Sequence, residues 1–396
     1  MPQFLLVLNA GSSSVKFSVF ETGGTLDARW RGQIEGFGAA PVFEVFERGA
    51  RILSRGFTYE PQTGAHKAAF AALFEWLFSV IGRDQLIAAG HRVVHGGGVF
   101  TAPTPIDEDT LERIASFTAL APLHQPHNLA GIRAVAELLP QLPQVACFDT
   151  AFHRTIAPEA YTLALPKALR DAGLRRYGFH GLSYENVVEI LPRLLRPDET
   201  KVIAAHLGNG ASLCAIDSGR CVETTMGFTA LEGLVMGTRA GSLDPGVILH
   251  LVQTYQLSAR ELEALLYKRC GLLGLSGATN DMRALLESDA PEARLAVDCF
   301  VYRAVREIGA LTAALGGLHA LVFTAGIGER SAEIRRRICD RLRWLGLALD
   351  EEANAAHRPR ISAPDSGVSV LIIPADEERV IAGYTLRLAR AKSPNT

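Results

Sequence analysis

Apolar and polar positions fall into blocks along the chain, and the blocks predict an α/β protein. Phe4 to Leu8 is a short apolar run of strand character. It leads into a polar glycine turn, Asn9-Ala10-Gly11-Ser12-Ser13-Ser14. Beyond the turn Val15, Phe17 and Val19 alternate with Lys16 and Ser18. A period of two marks a strand rather than a helix. The pattern returns in the second half. Lys201 to Ala205 is largely apolar, His206-Leu207-Gly208-Asn209-Gly210-Ala211-Ser212 is a polar glycine turn, and Leu213, Ala215 and Ile216 resume apolar character. A strand–glycine turn–strand unit near the start of each half predicts an internal duplication of two α/β domains. The competing reading is two hairpins alike by chance.

Helical segments separate these units. Ala65 to Ile81 is apolar and helix-forming, and Asp107 is placed to cap a helix running to Ala119. Leu129, Ile132, Ala136 and Leu139 share one face of a third helix. Ser183 is read as the cap of a helix from Tyr184 to Leu195, with Val187, Val188, Leu191 and Leu195 inward. Ser258-Ala259-Arg260-Glu261 is a capping box, and Val297 to Leu315 is apolar enough for a buried helix. Leu262, Leu265 and Leu266 are core positions of the helix that the box opens. Three more strands end in polar loops: Val145 to Phe148 at Asp149, Ala320 to Thr324 at Ala325-Gly326-Ile327-Gly328-Glu329, and Val368 to Ile373 at Pro374-Ala375-Asp376-Glu377-Glu378. Loops beyond strand C-termini form the ligand cleft of open α/β sheets. These loops carry the Asn, Ser, His, Asp, Gly and Glu that a magnesium–nucleotide site uses.

Composition narrows the class. The 396 residues are 48% hydrophobic and 21% charged, which excludes general disorder. A net charge of −2 gives no electrostatic footprint for nucleic acid or an anionic membrane. The run Arg335-Arg336-Arg337 is expected on a solvated helix face. No apolar run has the length of a membrane span, and the first residues read as a strand rather than a signal peptide. Six cysteines lie far apart with no C-x-x-C pair. They are expected as reduced thiols of a cytoplasmic protein, not as a zinc site or a disulfide framework. His66, His250, His319 and His357 are expected at the surface or satisfied in the core.

Each motif alone is weak. Ala10 to Lys16 looks like a phosphate loop but lacks the G-K-[S/T] ending, and a strand follows it. A hairpin turn can still hold phosphates with backbone N–H groups, hydroxyls and one lysine. His91-Arg92-Val93-Val94-His95-Gly96-Gly97-Gly98 and Met236-Gly237-Thr238-Arg239-Ala240-Gly241 set arginines beside glycines, where an anion can approach the backbone. Tyr177-Gly178-Phe179-His180-Gly181 sets a histidine between glycines.

Together, and in this order, these stretches resemble the acetate kinase family of short-chain acyl kinases across nearly the whole chain. The resemblance includes Leu120-Ala121-Pro122-Leu123-His124, Phe148-Asp149-Thr150-Ala151-Phe152-His153, Leu231 to Arg239, Phe323 to Glu329 and Glu377-Glu378. It implies duplicated actin/Hsp70/hexokinase-like (ribonuclease H-like) domains with an interdomain nucleotide cleft. The domains would be 1–149 plus 382–396, and 150–381. It implies the reaction ATP + acetate ⇌ ADP + acetyl phosphate, with Mg²⁺ (Mn²⁺ as substitute), in a homodimer.

By motif, the resemblance gives Asn9 and Glu377 to the metal and Lys16, Ser12 and Ser14 to ATP. It gives Arg92 and Arg239 to the substrate and the reacting phosphoryl group, Asp149 to an acid near the metal, and His180 to the transition state. His206, Leu207, Gly208, Asn209 and Gly210 line the phosphates. Asp281, Met282, Arg283, Gly326, Ile327, Gly328, Glu329 and Arg330 surround the nucleoside. Val94, Leu123, Phe179 and Ala230 line the acyl pocket. The family pattern has proline at Ala230, asparagine at Arg330, phenylalanine at Met282, histidine at Tyr184 and serine at Ala211. A smaller residue at 230 enlarges the pocket toward propionate, while the bulk of Val94 favours acetate. Competing functions are a propionate, butyrate or branched-chain acyl kinase, an ATP-driven binding module that makes no product, and an inactive paralogue.

Overall fold

The structure is a computed structural model that describes residues 2–11, 14–37, 41–59 and 64–391. The expected phosphate contact Ser12 lies outside the described residues. The chain divides into two compact units, residues 1–151 with 376–396, and residues 152–375. The chain re-enters the first unit at Asp376, ahead of the 382 boundary read from the sequence, and Glu377 therefore belongs to the first unit.

The first unit is built on an eight-stranded sheet. Its strands are β1 (Phe4–Ala10), β2 (Ser14–Glu21), β3 (Ala28–Glu35), β4 (Val42–Glu47), β5 (Ala50–Gly56), β6 (Leu86–Val93), β7 (Thr104–Pro105) and β8 (Gln144–Phe148). The order across the sheet is β5-β4-β3-β2-β1-β6-β8-β7. β1 to β5 run as an antiparallel meander, while β6 is parallel to β1 and β8 is parallel to β6. Burial on both faces explains the continuous apolar run of β1. Phe17, Phe43 and Trp30 gather around Trp76 in the core, at ring separations of 5.7 to 6.2 Å. The helix Glu377–Ala391 packs on β1, β6 and β8. Gly90 permits this, because a Cβ there would collide with Thr385 and Ile381 of that helix.

The second unit has a five-stranded sheet made of β9 (Lys201–Leu207), β10 (Ala211–Asp217), β11 (Arg220–Thr224), β12 (Ala320–Thr324) and β13 (Ser369–Ile372), in the order β11-β10-β9-β12-β13. β9, β10 and β11 are antiparallel, and β12 and β13 continue in parallel from β9. This repeats the order β3-β2-β1-β6-β8 with every direction kept. The duplication read from two glycine turns is thus present in the strand topology. The long helix Pro291–Leu315 packs on β9, β10 and β11, with Phe300, Val301, Ala304 and Ile308 buried. Each large side chain buried in this way contributes about 1.5–3 kcal/mol.

Three local readings need correction. Ser183 is not a cap. The helix there is Gly181–Ile190, and His180 precedes it in the left-handed conformation (φ 59°). The helix at 125–138 is rotated from the expected face: Asn128, Gly131, Ile132 and Val135 point inward with Leu129, and Ala136 is exposed. Arg335 is fully buried rather than solvated. It sits on the inward side of the helix Ala332–Asp340, while Arg336 and Arg337 pair outside with Glu333.

Candidate active site

In the first unit the C-terminal ends of β1, β6 and β8 and the start of the last helix gather one arginine and its oxygen partners. Arg92, near the end of β6, donates to both oxygens of Asp149, from Nε to Oδ1 at 3.2 Å and from Nη2 to Oδ2 at 2.6 Å. This is the bidentate fork that fixes a guanidinium most strongly. Its Nη1 donates to Asn9 Oδ1 at 3.3 Å, and Glu377 Oε2 lies 3.7 Å from Nε. Asp149 is 1% exposed and Arg92 22%, so the pair is anchored on the acid side and open on the arginine side. Burial alone would lower the basicity of Arg92. The charges of Asp149 and Glu377 outweigh burial and raise it.

Neighbouring residues hold this centre. The Val94 N–H donates to Asn128 Oδ1 at 3.0 Å, and Asn128 Nδ2 donates to the Ala10 carbonyl at 2.9 Å. The strand ends carrying Arg92 and Asn9 are thereby tied together. Arg31 on β3 donates to Glu378 at 2.7 Å and to Asp376 at 3.1 Å, which fixes the acidic loop on either side of Glu377. Lys16 is exposed on β2 and pairs in register with Asn9. Ser14 closes the turn through its carbonyl, which accepts from the Gly11 N–H at 2.8 Å. Val94 is buried and Leu123 half-buried in this unit.

In the second unit two imidazoles stack. The rings of His180 and His206 lie 4.1 Å apart with planes 16° from parallel. Ser212 Oγ is 2.8 Å from His180 Nδ1 and also bonds the Tyr184 hydroxyl. Ser183 Oγ, misread as a helix cap, holds His206 Nδ1 at 2.8 Å. Register sets His206 directly opposite Ser212 across β9 and β10. Arg239 donates to the Ala230 carbonyl at 3.0 Å. A Cβ on Gly210 would lie 3.4 Å from His180 Nε2 and 3.5 Å from Arg239 Nη2, so both groups border the turn. Asn209 is fixed by Asn280, whose Nδ2 donates to Asn209 Oδ1 at 2.9 Å. Gly237 N–H donates to the Asn209 carbonyl at 2.9 Å, and any Cβ at Gly237 would collide with the Asn209 side chain. Phe179 is buried beside His180, and Leu207 is buried within β9.

A cavity of about 680 Å³ opens next to this turn. Its lining brings together Gly208, Asn209, Asp281, Met282, Arg283, Gly326, Ile327 and Arg330, all expected around a nucleotide. The volume is that of a small-molecule site. Leu286, Glu287 and Glu333 also line it, and no motif signalled them. Of the residues expected around the nucleoside, Gly328 and Glu329 do not line it. Glu329 turns away to accept from the Ala375 N–H at 2.9 Å, and the Gly328 carbonyl accepts from Arg335. Arg335 also donates to Glu329 O, Asn354 Oδ1 and Asn354 O, and bonds His357 Nδ1. A buried guanidinium thus satisfies the last carbonyls of the glycine loop. Burial lowers it to about 10, still charged at neutral pH.

Two α/β units that share a five-strand order, each with a glycine turn, define the actin/hexokinase-like class of two-domain fold. Residues 4–383 match the model of the acetokinase family, and the chain belongs to that family of phosphotransferases with a carboxyl acceptor. An acetate kinase of Rhodopseudomonas palustris is 50% identical, over 98% of this chain and 99% of its own length. Among solved structures, a propionate kinase from Francisella tularensis superposes with a TM-score of 0.92 at 36% identity, over 97% of this chain and 99% of its own. Porphyromonas gingivalis acetate kinase gives 0.88 at 35%, over 98% and 99%.

Proposed function

We propose that the chain transfers the γ-phosphoryl group of ATP to the carboxylate of acetate, reversibly and in line, giving acetyl phosphate and ADP. The observation that carries this reading is the pair of fixed arginines, Arg92 on Asp149 and Arg239 on the Ala230 carbonyl. A carboxylate titrates near pH 4 and is already a nucleophile at neutral pH. It needs no general base, unlike a sugar hydroxyl. The barrier lies in bringing two anions together, and catalysis rests on position and charge. In this proposal Arg92 and Arg239 hold acetate and the moving phosphoryl group. His180 donates to its oxygens. The turn from His206 to Gly210 and Lys16 hold the phosphates, and the cavity beside Met282 and Arg330 takes the nucleoside.

Asn9 Oδ1 and the carboxylates of Glu377 and Asp149 surround Arg92 with oxygen donors alone, a set that fits a hard divalent cation such as Mg²⁺. Bound with the nucleotide, that ion supplies positive charge against the phosphates. Both Asp149 oxygens are engaged by Arg92, so Asp149 acts as a positioning group rather than a base. Asp149→Asn should lower kcat about 100-fold and weaken magnesium affinity. Lost activity with magnesium and nucleotide binding intact would show that its role is that of a base.

Propionate is the second reading, favoured by the small side chain of Ala230. A hydroxylamine trap with Mg-ATP and acetate, propionate or butyrate separates the readings. Acetate is expected to give the highest kcat/KM, and a clear win for propionate would reassign the acceptor. An apolar pocket discriminates one methylene by only about 1–3 kcal/mol. We also propose a homodimer. The helix Pro245–Tyr255 has no buried residue, yet Val247, Leu249, Val252 and Tyr255 are apolar and 43 to 64% exposed. Light scattering should give twice the chain mass, and Leu249→Glu should halve it. No helix among the described residues is long and apolar enough to cross a membrane. All six cysteines are free thiols, the state that a reducing cytoplasm maintains.

A further inference from the structure

The cysteines take no part in the proposed reaction, yet the second unit brings two of them together. Cys214 lies on β10 and Cys221 on β11, where the register shifts between Ala215 and Ile216. Their sulfurs are 3.4 Å apart, and His153 Nδ1 is 3.1 Å from Cys221 Sγ. The three donor atoms all lie within 4.8 Å of one another. His153 is 2% exposed, Cys214 0% and Cys221 1%. The spacing along the chain gave no hint of this cluster, because His153 comes from a distant short helix, Ala151–Thr155.

The His153 ring is already oriented. Its Nε2 lies 2.9 Å from the Phe179 carbonyl, which can only accept, so Nε2 carries the proton. In the neutral ring Nδ1 then presents its lone pair to Cys221. A histidine with one nitrogen tied to a backbone carbonyl and the other facing two sulfurs has the second-sphere arrangement of a metal ligand.

We infer that His153, Cys214 and Cys221 form a binding site for a divalent thiophilic cation of the Zn²⁺ or Cd²⁺ class. Two thiolates and an imidazole are a soft donor set. Two negative charges against a divalent cation make a neutral complex, which a buried site tolerates; a monovalent cation would leave an uncompensated charge. Metal bonds of about 2.3 Å to sulfur and about 2.0 Å to nitrogen require the donors to spread by roughly half an ångström. Binding forms two metal–sulfur bonds and one metal–nitrogen bond, and releases the two thiol protons. Nothing is oxidised or reduced. The site also has a line to the proposed chemistry. The same imidazole holds the carbonyl of Phe179, the residue before His180. If the proposed role of His180 holds, occupancy lowers kcat without changing nucleotide affinity.

The test uses the full chain, reduced and freed of metal by a chelator, and titrated with Cd²⁺ alone. The expected result is one tightly bound Cd²⁺ per chain with thiolate-to-cadmium charge-transfer absorption and release of protons. Cys214→Ser and Cys221→Ser should each abolish the absorption, and Cys270→Ser should retain it. Circular dichroism and ATP binding establish that the variants are folded. Absence of Cd²⁺ binding by the folded wild type overturns the site, as does undiminished absorption in folded Cys214→Ser and Cys221→Ser. Because binding is read directly, the result is independent of whether acetate is the acceptor. Inhibition by Cd²⁺ that disappears in Cys221→Ser tests the link to His180 separately.

Discussion

The two units share one strand order but present different chemistry at equivalent positions. In the first, the pair next to the turn-closing pair is Asn9 and Lys16; in the second it is His206 and Ser212. The parallel strand beside the hairpin ends in Arg92-Val93 in one unit and Phe323-Thr324 in the other. The next strand delivers Asp149 in the first unit and leads to Ala375 in the second. The first unit has become a centre of formal charge, with an arginine held by acids. The second has become a pair of stacked imidazoles held by hydroxyls, with Arg239 at the turn and a cavity lined by charged and apolar residues alike. The scaffold settles where side chains emerge, and single residues at four strand ends settle what each half can do.

The comparison is broken most directly at its two arginines. Arg92→Ala and Arg239→Ala should each lower kcat by about 1,000-fold, the cost of removing a charge-stabilising donor, with ATP affinity changed far less. Arg92→Lys should restore little, because one ammonium cannot reproduce the fork on Asp149. Steady-state kinetics with nucleotide binding measured in parallel checks this. Retention of full activity by either alanine variant would mean that its arginine contributes no charge to the transfer.

Acid should separate the units next. Burial holds His91 and His95 of the first unit neutral, each lowered to about 4. Between that value and the unfolded value of 6.5 the unfolded chain binds more protons. Their contribution is therefore full above pH 6.5 and is lost as pH falls toward 4, by about 3 kcal/mol for each histidine at pH 4. Urea unfolding followed by tryptophan fluorescence reads this unit, since Trp30 and Trp76 pack in its core while Trp344 of the second unit is 69% exposed. Stability that stays flat from pH 7 to 4 would contradict the account.

The smallest effect belongs to the donors that orient the imidazoles. Ser212→Ala removes the partner of His180 Nδ1 and of Tyr184 and should lower kcat about 10-fold with KM for ATP unchanged. An unchanged kcat would mean that the ring stack alone positions His180.

What could be read from the sequence was local. Glycine turns, alternating strands, the Ser258 capping box and the Asp107 cap depend on neighbours within four residues, and the structure contains them. The gathering of Arg92, Asp149, Asn9 and Glu377 was legible only through the resemblance, since no spacing joins residues 9, 92, 149 and 377. Arg335 was unreadable for a different reason. An arginine in a basic run is ordinarily solvated, and only the fold reveals five acceptors around it. Ser183 misled because a serine before a helix usually caps it, whereas here a left-handed His180 starts the helix and frees the hydroxyl for His206. The cysteine cluster was hidden likewise, by two strands and a remote short helix that no spacing rule connects.

The central claim is that this chain phosphorylates a carboxylate. Phosphorus magnetic resonance of the protein with Mg-ATP and acetate tests it without a trap or a coupling enzyme. An acyl phosphate resonance should grow in step with ADP, and added acetyl phosphate and ADP should regenerate ATP. ADP appearing with inorganic phosphate alone, or no turnover despite tight ATP binding, would contradict it.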